Sequence, residues 1–144
     1  ANPAAVAIAR SLFRLPYFNA AMRVSLEGDT VSYVSRRTHR QAAPGHFVAR
    51  YGPAGEVTRT RPGTLDEWLT ERYCFYTVDT QGSPLICEIH HRPWPVQPAR
   101  AEFEQNDIAG ASGLGLAPQP ALMHFSKALP VVAWPLRPWK PDST

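Results

Sequence analysis

The chain has 144 residues, 44% of them hydrophobic and 19% charged, a size and balance that fit one folded domain and exclude a disordered or fibrous chain. The apolar stretch at residues 4–9 is too short to cross a bilayer and lacks the charged start and cleavage pattern of a signal peptide, so no membrane role and a cytoplasmic location are expected. Net charge is +3 and all but two of the 15 basic residues are arginine, but they are scattered, without zinc-finger spacing, an aromatic RNA-binding signature or a basic helix; nucleic acid is not an expected partner.

In chain order, residues 4–15 read as a helix with Ala5, Ile8, Leu12 and Leu15 on one face, stopped by Pro16. Residues 22–26 and 30–35 form a hairpin around Gly28-Asp29, where apolar and polar residues alternate. A second pair is expected between 46–51 and 56–60, across Gly52-Pro53-Ala54-Gly55. Thr64 and Glu67 have capping-box spacing, which starts a helix from Leu65 to about Arg72. Strands at 73–78 and 85–91 flank the turn Thr80-Gln81-Gly82-Ser83. Pro93, Pro95 and Pro98 impose an extended connector, followed by a strand at 99–104 and a brief helix to Ser112 capped by Asn106. A last helix at 121–128, a strand at 130–135 and a loose tail after Arg137 complete the expectation. About eight short strands with few helices predict a single mainly β domain, a barrel or sandwich.

The densest polar cluster is Cys87-Glu88-Ile89-His90-His91. On a strand Glu88 and His90 share one face, so the carboxylate can orient an imidazole for proton transfer; a solvent-facing pair is the plainer reading. A metal site from Cys87, His91 and His124 is disfavoured because i, i+4 spacing on a strand separates ligands too widely, and no cofactor is expected. Arg72 can hold a ligand carboxylate with Glu71 beside it, or tie helix to sheet. Trp68, Phe75, Tyr76, Trp94 and Trp134 are core aromatics or pocket lining. Cys74 and Cys87 are expected to be reduced packing residues. No nucleophile elbow, phosphate loop or dinucleotide fingerprint is present.

Four segments together resemble the YqjF-like family, domain of unknown function 2071: 12–18 (LFRLPYF), 63–76 (GTLDEWLTERYCFY), 88–99 (EIHHRPWPVQPA) and 131–135 (VVAWP). The resemblance implies the β-barrel fold of acetoacetate decarboxylase and that the chain is the larger C-terminal part of a family member, incomplete at its N-terminus. It would then have an open sheet edge that a second copy can cover. The related enzyme forms its Schiff base on a lysine after a helix; Tyr17 holds that position here, and the two lysines, Lys127 and Lys140, lie elsewhere. The resemblance therefore implies a barrel binding a small organic acid or apolar ligand through residues such as Tyr17, Arg72, Tyr76, His90 and Trp94, without decarboxylase chemistry. The alternatives are an enzyme using Tyr17, Glu88 and His90 for acid–base work on a small carbonyl or carboxylic acid compound, and a non-catalytic homo-oligomeric interaction module.

Overall fold

A computed structural model describes residues 2–117 and 119–140. Contacts divide them into two compact units: Asn2 with 18–58 and 96–126, and 3–17 with 59–95 and 127–140.

The first unit is a five-stranded antiparallel sheet in the order β1-β2-β3-β6-β7. Strands β1 (Ala20–Glu27) and β2 (Thr30–Arg37) form the expected hairpin, with Glu27 opposite Thr30. Gly28 sits at φ 58° in the first central position of the turn, a conformation open to glycine at little cost. Strand β3 (His46–Pro53) pairs with β2 and, on its other side, with β6 (Gln97–Asn106) rather than with 56–60. Of that predicted strand only Thr58 is bridged, to Val96, because the neighbour β3 needs is supplied by the longer alternating run of β6. A bulge in β6 opposite Val48 and Ala49 shifts the register. Where β3 begins and β6 ends, the Asp107 carboxylate accepts from the His46 backbone N–H and meets His46 Nδ1 at 3.1 Å.

Two further expectations fail in this unit. Asn106 ends β6 instead of capping a helix; a single 3-10 turn, Gly110–Ser112, follows, closed by Gly113 at φ 77°. Residues 121–128 form no helix. Pro120 and Pro130 bound the segment, and β7 (His124–Phe125) pairs with Gln97 and Pro98 in extended form.

The second unit opens with α1 (Pro3–Ser11), which stops before the predicted Leu15; Arg14 at φ 54° lies in the left-handed region and turns the chain out of the helix. The buried stripe is Val6 and Ala9, not Ile8 and Leu12, which are half or more exposed. Helix α2 (Leu65–Thr70) has its predicted cap: the Thr64 hydroxyl accepts from Glu67 N–H, and the Glu67 carboxylate returns a bond to Gly63 N–H at 2.6 Å. Strands β4 (Cys74–Val78) and β5 (Pro84–His91) form the expected hairpin around an Asp79 side chain that accepts from Gln81 and Ser83 N–H. Strand β8 (Val131–Ala133) and β9 (Arg137–Pro138) both pair with β5. The tail is thus held as far as Trp139, whose N–H reaches Pro84 O; residues 141–144 lie outside the described set. The core of this unit is Val6 and Ala9 of α1 with Ile86, the fully enclosed Cys87, and His91, and the two cysteines are not bonded to each other.

The protein is mainly β, as predicted, but both sheets are open. Among the described residues β1 and β7 stand at the two ends of the strand order and no strand joins them, so the predicted barrel is not closed.

Candidate functional site

Alternation along three strands builds a hollow on one face of the five-stranded sheet. Tyr33 on β2 lies opposite Ala49 on β3, Ala49 lies opposite Phe103 on β6, and Tyr51 lies opposite Ala101. Direct partners in an antiparallel ladder project to the same side, so Tyr33, Phe47, Tyr51, Ala99, Ala101 and Phe103 share this face. Arg50, Arg100 and Glu102 take the other. The Phe47 ring packs edge-on against Tyr33 at 5.6 Å and against Phe103 at 5.9 Å. Large rings around the small side chains Ala99 and Ala101 leave a depression of about 390 Å³. Residues 120–124 flank it, anchored where Ala99 N–H bonds Met123 O at 3.2 Å, and add Leu122, Met123 and His124 to its wall. The wall is mostly apolar, with the Tyr33 and Tyr51 phenols and His124 as its polar groups, a composition typical of small-molecule sites.

The opposite face carries a larger hollow, about 460 Å³, lined by Thr30, Arg50, Arg100 and Glu102. It is a weaker candidate. Arg100 is already engaged by the Pro53 carbonyl and the Thr30 hydroxyl, and Arg50 has Glu102 as its direct cross-strand partner.

The candidate catalytic and ligand-binding residues from the sequence, Tyr17, Arg72, Tyr76, Glu88, His90 and Trp94, all fall in the second unit, while His124, weighed there only as a metal ligand, lies in the first. Glu88 and His90 do share one face of β5, and Tyr76 joins them through its pairing with Ile86. Glu88 does not orient His90, however: its carboxylate binds Arg137 at 2.7 Å, and both side chains are about half exposed. His91 points the other way and is 5% exposed. Its Nδ1 lies 2.8 Å from Arg92 O and its Nε2 3.0 Å from Arg72 O, while the Tyr73 ring stacks on it at 4.6 Å. Trp94 meets the same imidazole edge-on at 6.0 Å, and its indole N–H is buried without an acceptor among the described residues.

Arg72 contributes its carbonyl to that cluster, but its guanidinium lies 4.0 Å over the Trp68 ring rather than on Glu71. Glu71 instead accepts from the Tyr73 hydroxyl at 2.5 Å and from Trp94 N–H at 3.1 Å. Burial raises the Glu71 carboxyl, but these two bonds and the nearby His91 outweigh it and hold the group below its ordinary range. The same bond pushes the Tyr73 phenol upward. Tyr17 is 53% exposed beyond α1, where its carbonyl accepts from Arg10 at 2.8 Å. Thr77, which faces away from Tyr76, bonds Arg14 O three residues before it. No hydrogen bond or ring contact among the described residues joins Tyr17 to His90. Burial raises the Cys87 thiol, which donates to Trp134 O, and this makes it an inert packing group.

The hollow residues were missed because Tyr33, Phe47, Tyr51 and Phe103 carry no motif. The available signal was the run Ala99-Arg100-Ala101-Glu102-Phe103, whose strict alternation marks one apolar face.

Residues 1–130 match the family DUF2071, described as "Uncharacterized conserved protein (COG2071)". The chain belongs to this family. It is also similar to "Uncharacterized protein YqjF" of Bacillus subtilis (strain 168), with 42% identity over 136 residues, 94% of this chain and 54% of that relative. The chain thus spans about half the length of the curated relative it matches. No solved structure matches it. Among the described residues no helix is long and apolar enough to cross a membrane.

Proposed function

We propose that this chain binds a small, largely apolar compound bearing one polar or acidic group, in the hollow on the apolar face of the five-stranded sheet. The observation that carries this reading is the ring of Tyr33, Phe47, Tyr51 and Phe103 around Ala99 and Ala101, with a volume near 390 Å³. A ring or short alkyl chain buried there gains roughly 25 cal/mol per Å² of apolar area. The phenol hydroxyls of Tyr33 and Tyr51 and the imidazole of His124 are the groups from which a carboxylate or carbonyl oxygen would take its hydrogen bonds. The acetoacetate-decarboxylase resemblance enters as an expectation about fold alone. Schiff-base chemistry is no part of the reading, since Lys127 and Lys140 are both exposed and neither amine is desolvated. An NMR titration with small aromatic and aliphatic carboxylic acids tests it: amide shifts should concentrate at residues 99–103 and 122–124. Shifts scattered over the surface, or confined to the second unit, would refute it.

A second reading rests on the shared face of Tyr76, Glu88 and His90: proton transfer by His90 to a ligand oxygen, with the carboxylate group held on Arg137 and Tyr17 outside the reacting group. Ligand shifts centred on His90 that vanish in His90→Ala would favour it over the first.

A further inference from the structure

Strand β1 differs from the other edge of its sheet in a way that points to a partner. The edge at β7 is two residues long and pairs beside Pro98, which blunts it. Strand β1 is eight residues long, contains no proline, and exposes Met22, Val24 and Leu26 at 46%, 58% and 69%. These three project to the same face as Val31, Tyr33 and Tyr51, so they extend the apolar side of the sheet to its rim. Long, flat, hydrophobic edges of this kind are templates for another strand.

The backbone parity of β1 fixes how such a strand can bind. Asn19 O accepts from Thr38 N–H, and Arg37 N–H turns to Gly45 O, away from β1. With that register the odd residues of β1 bond β2, while Met22, Val24 and Leu26 direct N–H and C=O outward. An antiparallel partner must therefore match even residues with even ones. Centring the pairing on Ser25 does so when the partner is another β1: Val24 meets Leu26 of the other copy, and Arg23 meets Glu27 of the other copy on the polar face. Neither the Arg23 guanidinium nor the Glu27 carboxylate has a hydrogen bond or ion pair among the described residues of its own chain, and both residues are exposed. They fall at non-hydrogen-bonded positions, where side chains approach most closely. The strand is thus complementary to itself in charge, in apolar content and in hydrogen-bond parity.

We propose that two copies of this chain associate through β1, antiparallel and centred on Ser25, joining two five-stranded sheets into one of ten strands. The contact is isologous, so each pair occurs twice and the assembly closes at a dimer. It leaves the hollow at Ala101 to each copy separately and does not depend on ligand binding.

Sedimentation of the 144-residue chain over a concentration series should show a dimer of the 16.0 kDa protomer. Arg23→Glu should weaken it at least about fivefold, because it replaces two opposite-charge pairs by two like-charge pairs. Adding Glu27→Arg should restore it. In a Cys74→Ser background, Ser25→Cys should oxidise to a cross-linked dimer, since directly opposed non-hydrogen-bonded residues lie about 4.5 Å apart at Cα, within reach of a disulfide. Val34→Cys, on β2, should not. A monomer at every concentration overturns the proposal, as does a dimer indifferent to Arg23→Glu or cross-linking equal through Ser25→Cys and Val34→Cys.

Discussion

His91 is enclosed by the Tyr73 and Trp94 rings, and each of its ring nitrogens faces a backbone carbonyl, at Arg72 and at Arg92. Removing the imidazole takes the donor from at least one of these carbonyls, which costs about 1–3 kcal/mol. His91→Phe should therefore lower the denaturant midpoint by more than His90→Ala does. His90 is exposed on the opposite face, and its loss should shift stability by at most about 0.5 kcal/mol. Equal effects of the two substitutions would contradict the placement. Acid provides a second test at this scale. Burial raises Glu71, but bonds from Tyr73 and Trp94 and the neighbouring His91 set it below its ordinary value; Asp107 is lowered chiefly by the His46 backbone N–H. Both carboxyls bind protons more weakly in the folded chain, so their stabilisation is complete above the unfolded range, near pH 4. It is lost as pH falls through their depressed folded values. The midpoint of urea unfolding should fall on acidification below about pH 4, and Glu71→Gln combined with Asp107→Asn should flatten that dependence. An unchanged slope in the double variant would show that other groups carry it.

At the scale of elements, the joint between the first hairpin and β3 is the most sensitive point of the sheet. Gly52 is buried, and a Cβ added there would lie 2.5 Å from Asp29 O in the β1–β2 turn. That neighbour is backbone and cannot rotate away, so Gly52→Ala should destabilise by about 1–3 kcal/mol. Gly110, whose Cβ would meet open space, should accept alanine with little loss, and thermal unfolding of the two variants compares them directly. The elements that were readable in the sequence owe it to local chemistry. The β1–β2 and β4–β5 hairpins have turn residues between alternating runs, and α2 has its Thr64–Glu67 cap. The misread elements depend on distant partners. Alpha-helix α1 is apolar around much of its circumference, so periodicity alone did not distinguish Val6 and Ala9 from Ile8 and Leu12. Residues 121–128 carry a helix-compatible composition, but pairing with Gln97 and Pro98 draws them into extended form. The expected strand at 56–60 lost its partner to β6, a competition between segments far apart in the chain that no local pattern reveals.

The candidate site was hidden for a related reason. Its rings come from β2, β3 and β6, and only the sheet register brings Tyr33, Tyr51 and Phe103 to one face. The sequence instead favoured residues contiguous in the chain, such as Glu88 and His90, where the structure shows a carboxylate already occupied by Arg137. For the molecule as a whole, the described residues are mainly β, as expected, in open sheets and not in a closed barrel, and the family match extends over residues 1–130 without supplying an activity. The most direct test of the account is a thermal-shift titration with small aromatic and aliphatic carboxylic acids, run on the native chain and on Ala101→Leu, whose larger side chain fills the floor of the hollow. A ligand at about 100 times its Kd should stabilise the native chain by about 2.7 kcal/mol, while the variant, unfolding at a similar temperature without ligand, should show no rise. Equal shifts in both proteins, or none in the native chain with any acid of the series, would contradict a ligand site at this hollow.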